Sequence, residues 1–234
     1  MPRFALALLA AHLLLALTLI PPWQQPDEPT HVAAVEAQIS RMTRRETTDP
    51  GREGEILQSM AQYDWWEHRR LGERTPAVLA RNFQSQSEAI PGPVGSPAPA
   101  GSLPPYAMAG GRIVSWLPRD TVAEDLYWLR GLSAVAGLLT LWVAWHGARE
   151  CLGALGGAVV ALLVALHPQY AIISTAASPD AFVNLAGAFV WWQAVVTVKR
   201  LRLLPLALMW VAATAATSVD RMGTPLLAFA LLAS

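Results

Sequence analysis

Cysteine is almost missing from this chain. Cys151 stands alone, so no internal disulfide forms and no thiolate cluster is available to a metal. Charge is scarce as well. Asp, Glu, Lys and Arg make up 15% of the residues, where a soluble domain carries about a quarter. The formal net charge is zero, which leaves no basic footprint for nucleic acid. The long apolar runs hold few charges, which argues against an ion-conducting path. The first run closes on Ile20-Pro21-Pro22-Trp23 rather than on a small-x-small site, so it reads as an uncleaved helix and not as a removable signal.

Hydrophobic residues reach 53%, and ten residues are Trp. The charges are segregated. Fourteen of the 17 acids and ten arginines fall between Asp27 and Asp125. This is the pattern of an all-α polytopic membrane protein with about five or six spans and one long polar excursion over residues 21–125. The first apolar run, Phe4–Ile20, has a length at the short end for a spanning helix. Its His12 is most simply a packed or interfacial histidine. Further apolar helices are expected over about Leu126–His146, Ala154–Ile173, from Pro179 to about Val198, over Leu203–Ser218, and from Pro225 onward. Gly147–Gly153 reads as a tight polar connection. Arg130, near the start of its helix, has a stem long enough to reach lipid headgroups.

Within the excursion, Thr30–Met42 reads as a short helix with Val32, Ala34, Val35 and Ile39 apolar. Glu53–Leu71 is a second, with Ile56, Leu57, Met60, Tyr63 and Trp66 close to a 3.6-residue period. Trp65-Trp66 beside Arg69-Arg70 suits either a membrane interface or an ordinary amphipathic helix. Ala89–Pro105 is rich in Pro, Gly, Ser and Ala and is expected to be a mobile loop. Ala107–Trp116 is apolar but too short to span, and suits an interfacial segment. Asp120-Thr121-x-x-Glu124 has the form of a capping box.

The positive-inside rule orders these segments. Lys199-Arg200-Leu201-Arg202 is the strongest basic short loop and belongs in the cytoplasm. The connection with Arg149 and the N-terminus with Arg3 then fall on the same side. Asp27-Glu28, Asp180 and Asp220-Arg221 fall at the opposite, extracytoplasmic ends of helices. Pro26-Asp27-Glu28-Pro29-Thr30-His31 is the most distinctive of these ends. Two acids and a histidine framed by prolines suit a base, a metal ligand or a substrate-orienting group, and equally a polar exit with the N-cap of the next helix. The prolines are expected to disfavour a regular helix through it. Ser178-Pro179-Asp180 has the makings of an ordinary helix start. Asp27-Glu28-x-x-His31 is no zinc-protease motif, because that motif needs His at the first position on a continuous helix.

Three segments together resemble a known group. Pro26-Asp27-Glu28-Pro29-Thr30-His31 resembles the P-D-E-P-x-H signature of the bacterial membrane family catalogued as domain of unknown function 2142. Leu103-Pro104-Pro105-Tyr106 resembles its Pro-Pro-x-Tyr segment. His167-Pro168-Gln169-Tyr170 through Ser178-Pro179-Asp180-Ala181 resembles the segment ending in S-P-D-A. That family is grouped by fold with the GT-C glycosyltransferases.

The resemblance implies a protein of the bacterial inner membrane that moves a sugar from a polyprenyl-phosphate-linked donor to an acceptor on the extracytoplasmic face. It implies Asp27 as catalytic base, with Glu28 beside it as the second catalytic candidate. His31, Tyr106, Asp180, Asn184 and Arg221 fall to substrate binding, with Arg112 and Arg119 as further phosphate contacts. Some such enzymes use a divalent metal, and Asp27, Glu28 and Asp180 offer oxygen ligands suited to magnesium or manganese. Where relatives carry a lysine near the start of the sixth helix, this chain has Asp220-Arg221-Met222. The family is longer, so this chain is expected to be the N-terminal part of such a protein. The competing reading is a non-catalytic membrane protein that carries or flips a lipid-linked sugar, or scaffolds envelope polysaccharide assembly.

Overall fold

The structure is a computed structural model that describes residues 2–25, 27–43, 50–63, 104–118, 120–200, 202–219 and 223–233. Every regular element among the described residues is helical. In chain order they are α1 (Pro2–Leu19), α2 (Glu28–Met42), α3 (Pro50–Gln62), α4 (Pro105–Val114), α5 (Val122–Leu166), α6 (Pro168–Ile173), α7 (Asp180–Arg200), α8 (Leu203–Val219) and α9 (Thr224–Ala233). Two of them, α5 and α7, are long and apolar enough to cross a membrane. α1, α8 and α9 are apolar but shorter. The expected loop over Ala89–Pro105 and the Trp65-Trp66 and Arg69-Arg70 pairs lie largely or wholly outside the described residues.

The chain divides into two units, Ile20–Leu129 and the remainder. In the first, α2 buries Val32, Val35 and Ile39, spaced by three and four residues as one helix face requires. α4 lies against this face because it presents no side chains at Gly110 and Gly111. A Cβ on Gly110 would stand 3.3 Å from Val35 Cγ2, and one on Gly111 2.8 Å from Gln38 Cγ. α3 buries Ile56 and Met60. It is tied to the turn after α1 by Trp23, whose indole Nε1–H donates to Ser59 Oγ at 2.9 Å. It is tied to the head of α5 by Glu55, which accepts from the Val122 N–H at 2.8 Å. The expected capping box forms with its return bond shifted by one residue: the Glu124 N–H donates to Thr121 Oγ1, while the Glu124 carboxylate accepts from the Asp120 N–H at 2.7 Å rather than from the N–H of the capping Thr121.

The second unit holds α1, most of α5, and α6 to α9. α5 is two helices joined at one residue. Gly153 has φ 74° and ψ −174°, a region open essentially to glycine alone. The chain reverses there. A Cβ on Gly157 would stand 3.0 Å from Arg149 Cβ, and Leu141 before the turn shares a core with Ala161 after it. The connection expected over Gly147–Gly153 is therefore a single glycine. Residues 148–152 include Ala, Arg, Glu and Leu, which are good helix formers and carry the helix to the turn.

The helix expected over Ala154–Ile173 is interrupted at His167. Pro168 has no N–H and pushes the residue before it towards extended geometry. His167 accordingly takes φ −76° and ψ 110° and caps α6 by accepting from the Tyr170 N–H. α1 packs through Ala5, Leu9 and Leu13 against both legs of α5. His12 is a packed histidine, its Nδ1 2.8 Å from the Ala165 carbonyl oxygen. α7 and α8 close on Val190, Ala194, Met209 and Ala213. Small residues at these seams let backbones approach, as they do between helices in lipid. Arg130 does not reach outward as expected. It is fully buried, because it lies among Leu126, Leu129 and Ser133 on a stretch of α5 that is covered on those positions.

Candidate functional site

The segment after α1 turns tightly. Trp23 and Asp27 are the non-glycine residues with positive φ, at 69° and 59°, among the described residues. Trp23 combines this conformation with a side chain that has no exposed surface. Two residues beyond the second positive-φ site, Pro29 occupies the second position of α2. The prolines therefore do not keep a helix out of this segment. A proline within the first turn lacks only an N–H that the helix would leave unpaired, and its fixed φ suits the helix. This is why α2 begins at Glu28 and not at Thr30.

The same arrangement alters Asp27. An N-cap aspartate ordinarily has extended backbone and accepts from the second or third N–H of its helix. Here the second position is Pro29, which has no N–H, and the Asp27 backbone is left-handed with ψ 5°. Its side chain makes no capping hydrogen bond. The backbone carbonyl takes the first helical bond from the His31 N–H at 3.1 Å, while the side chain stands exposed. Glu28, one residue on, is fully buried. The two adjacent acids thus have opposite surroundings.

Two of the sequence motifs meet. Pro104 and Pro105 start α4 with Pro104 at φ −61° and ψ 144°, and this brings Tyr106 into the unit as a buried residue. The His31 and Tyr106 rings meet edge to face, with centroids 5.8 Å apart and planes at 78°. Asp27, Glu28, His31 and Tyr106 therefore belong to one unit and stand at the heads of α2 and α4. Arg112 is exposed in the last turn of α4.

Asp180 and Asn184 belong to the other unit and are both exposed. Ser178 Oγ accepts from the Asp180 N–H at 3.3 Å and its hydroxyl faces Asp180 Oδ2 at the same distance. Ser178-Pro179-Asp180 does what a helix start requires. Arg119 and Arg221 lie outside the described residues. Among the described residues, no three His, Cys, Asp or Glu side chains are gathered so as to hold a metal ion.

Three buried charges escaped the motif reading. Glu36 and Asp125 are buried acids of the first unit, and Arg130 is a buried cation of the second. Glu36 carried a usable signal: it lies eight residues from Glu28 and four from Val32, on the apolar face of α2. Asp125 gave none, since an acid in a first helical turn is the ordinary dipole partner. No protein-family model, no curated protein and no solved structure matches this chain.

Proposed function

We propose that this chain is a membrane glycosyltransferase, or the N-terminal part of one, acting at the extracytoplasmic face with Asp27 as base. The observation that carries the reading is the state of Asp27. Its carboxylate is exposed and makes no cap, and its backbone is held in a conformation that costs an aspartate free energy. A purely structural N-cap would have the extended backbone and the hydrogen bond that Asp27 lacks.

In the reaction, the Asp27 carboxylate takes the proton of the acceptor hydroxyl. The acceptor oxygen bonds to the anomeric carbon, the bond from that carbon to the phosphate oxygen breaks, and the phosphate leaves with the electron pair. A carboxylate positioned for this contributes about 10²–10⁴-fold. The His31–Tyr106 pair joins the heads of α2 and α4 beside it, and Glu28 is buried there. Arg112, in the last turn of α4 on the same unit, is a candidate cation for phosphate, with Arg119 and Arg221 as further candidates. Asp180 and Asn184 remain candidates for substrate binding, while the acids named for magnesium or manganese are divided between the two units and gather no metal site among the described residues. The donor is a sugar on a polyprenyl phosphate.

The membrane arrangement belongs to the same proposal: five or six spans, residues 21–125 outside, the N-terminus in the cytoplasm of a bacterial inner membrane. One contact supports it. Lys199 and Arg200 of α7 both bind Glu150 beside the Gly153 turn, Arg200 at 3.1 Å, so the two connections assigned to the cytoplasm share one end of their unit.

The alternative, a carrier or scaffold for lipid-linked sugar, is favoured by Arg130, since a buried charge on a membrane-length helix is typical of transport. Sugar transfer from labelled polyprenyl-phosphate sugars, in membranes with wild type or Asp27→Asn at equal expression, separates the two. Loss in the variant supports the enzyme. Unchanged transfer removes Asp27 as base, and no transfer from any donor by the wild type favours the carrier.

A further inference from the structure

At the Gly153 end of the second unit, charge and aromatic surface are concentrated together. The two connections there, residues 147–153 and 199–202, carry Arg149, Lys199, Arg200 and Arg202 against the single acid Glu150. The four basic residues are exposed. Glu150 is occupied: Lys199 Nζ donates to its backbone carbonyl, and Arg200 Nη2 donates to its carboxylate at 3.1 Å. This clamp gathers the basic residues of two distant stretches instead of leaving them on separate loops.

Immediately next to the charges stands a group of rings. His146 stacks on Trp192 at 5.4 Å and meets the edges of Trp142 and Trp145 at 4.5 and 4.4 Å. The Arg149 guanidinium rests 5.5 Å from the centre of the Trp145 ring. Trp191 covers Gly147, where any side chain would collide with it. Trp142 and Trp191 nevertheless keep 44% and 37% of their surface exposed. Beyond the rings, exposed Leu139 and Val135 continue along α5 away from the charged end.

Along the leg of α5 that leads into the turn the order is cationic residue, then aromatic ring, then aliphatic surface, and Leu152 and Leu155 are exposed at the turn itself. That order matches the profile of a bilayer leaflet, in which amphipathic rings sit at headgroup depth. We propose that this end of the unit is a binding surface for anionic phospholipid headgroups. The excess cations take the phosphate charge, and Trp142 and Trp191 take the glycerol and upper acyl region. The inference rests on the membrane embedding proposed above and not on the transfer chemistry.

The test uses the full chain, delipidated in detergent and offered dioleoyl phosphatidylglycerol or dioleoyl phosphatidylcholine, with bound lipid counted by native mass spectrometry. Phosphatidylglycerol should be retained about tenfold better at low salt, in keeping with the attraction of a few basic residues for an anionic leaflet. The preference should shrink at high salt. Arg149→Gln with Arg202→Gln leaves the Glu150 clamp intact and should bring the ratio close to one, while Arg149→Lys with Arg202→Lys should keep it. Equal retention of the two lipids by the wild type overturns the inference, as does an unchanged ratio in the glutamine variant. Displacement of phosphatidylglycerol by millimolar inorganic phosphate would also overturn it, by making this a free-anion site. Release of the chain from membranes by alkaline carbonate would sink the embedding itself, and is read separately.

Discussion

At Asp27 conformation and chemistry can be separated by substitution. Glycine adopts left-handed backbone without the penalty an aspartate pays, so Asp27→Gly should leave the protein as stable or up to about 1 kcal/mol more stable. On the proposed mechanism it should abolish sugar transfer. Thermal unfolding in detergent, read beside the transfer assay, checks both outcomes, and a stability loss with transfer retained would return the residue to a structural role. Trp23 makes the opposite case. It is fully buried and binds Ser59, and truncating such a residue costs about 3–5 kcal/mol. Trp23→Ala should therefore lower the midpoint of unfolding sharply, and a shift of only a degree or two would contradict its anchoring role. That Asp27 does not cap was not legible in the motif. It follows from Pro29 lacking an N–H and from the left-handed backbone at Asp27.

Among elements, the hairpin within α5 depends on Gly153, and no side chain suits its backbone. Gly153→Ala should destabilise by about 1–3 kcal/mol, seen as a lower unfolding temperature. Gly54 is the contrast. It lies within α3, where a Cβ would meet nothing within 4 Å, so Gly54→Ala should stabilise by about 1 kcal/mol. Equal effects at the two glycines would refute the assigned turn. Most helices could be read from apolar runs and their punctuation: the capping box at Thr121, the cap at Ser178 and the proline near the start of α9 all act locally. The boundaries at residues 147–153 could not, because Ala148-Arg149-Glu150 favours a helix by propensity while its polarity suggests a loop. Packing of the two legs decides that the helix continues until the first residue able to reverse it.

For the whole molecule, the proposed topology sets Cys151 and α3 on opposite sides of the membrane. Cys151 is exposed, and Gln58 is an exposed position of α3. In intact spheroplasts a membrane-impermeant maleimide should leave Cys151 unlabelled and should label Gln58→Cys in a Cys151→Ser background. Inside-out vesicles should reverse the pattern, and labelling of Cys151 from outside would overturn the orientation. What the sequence by itself determined is the helical class, the apolar runs and the segregation of charge, because hydropathy and capping are local and periodic. What only the tertiary structure decided is which charges are buried and which motifs touch. Glu28, Asp125 and Arg130 are charged in sequence like any surface residue, and their burial comes from the partners packed over them. His31 and Tyr106 meet only because α2 closes on the two glycines of α4, a contact between segments far apart in the chain that no local pattern records.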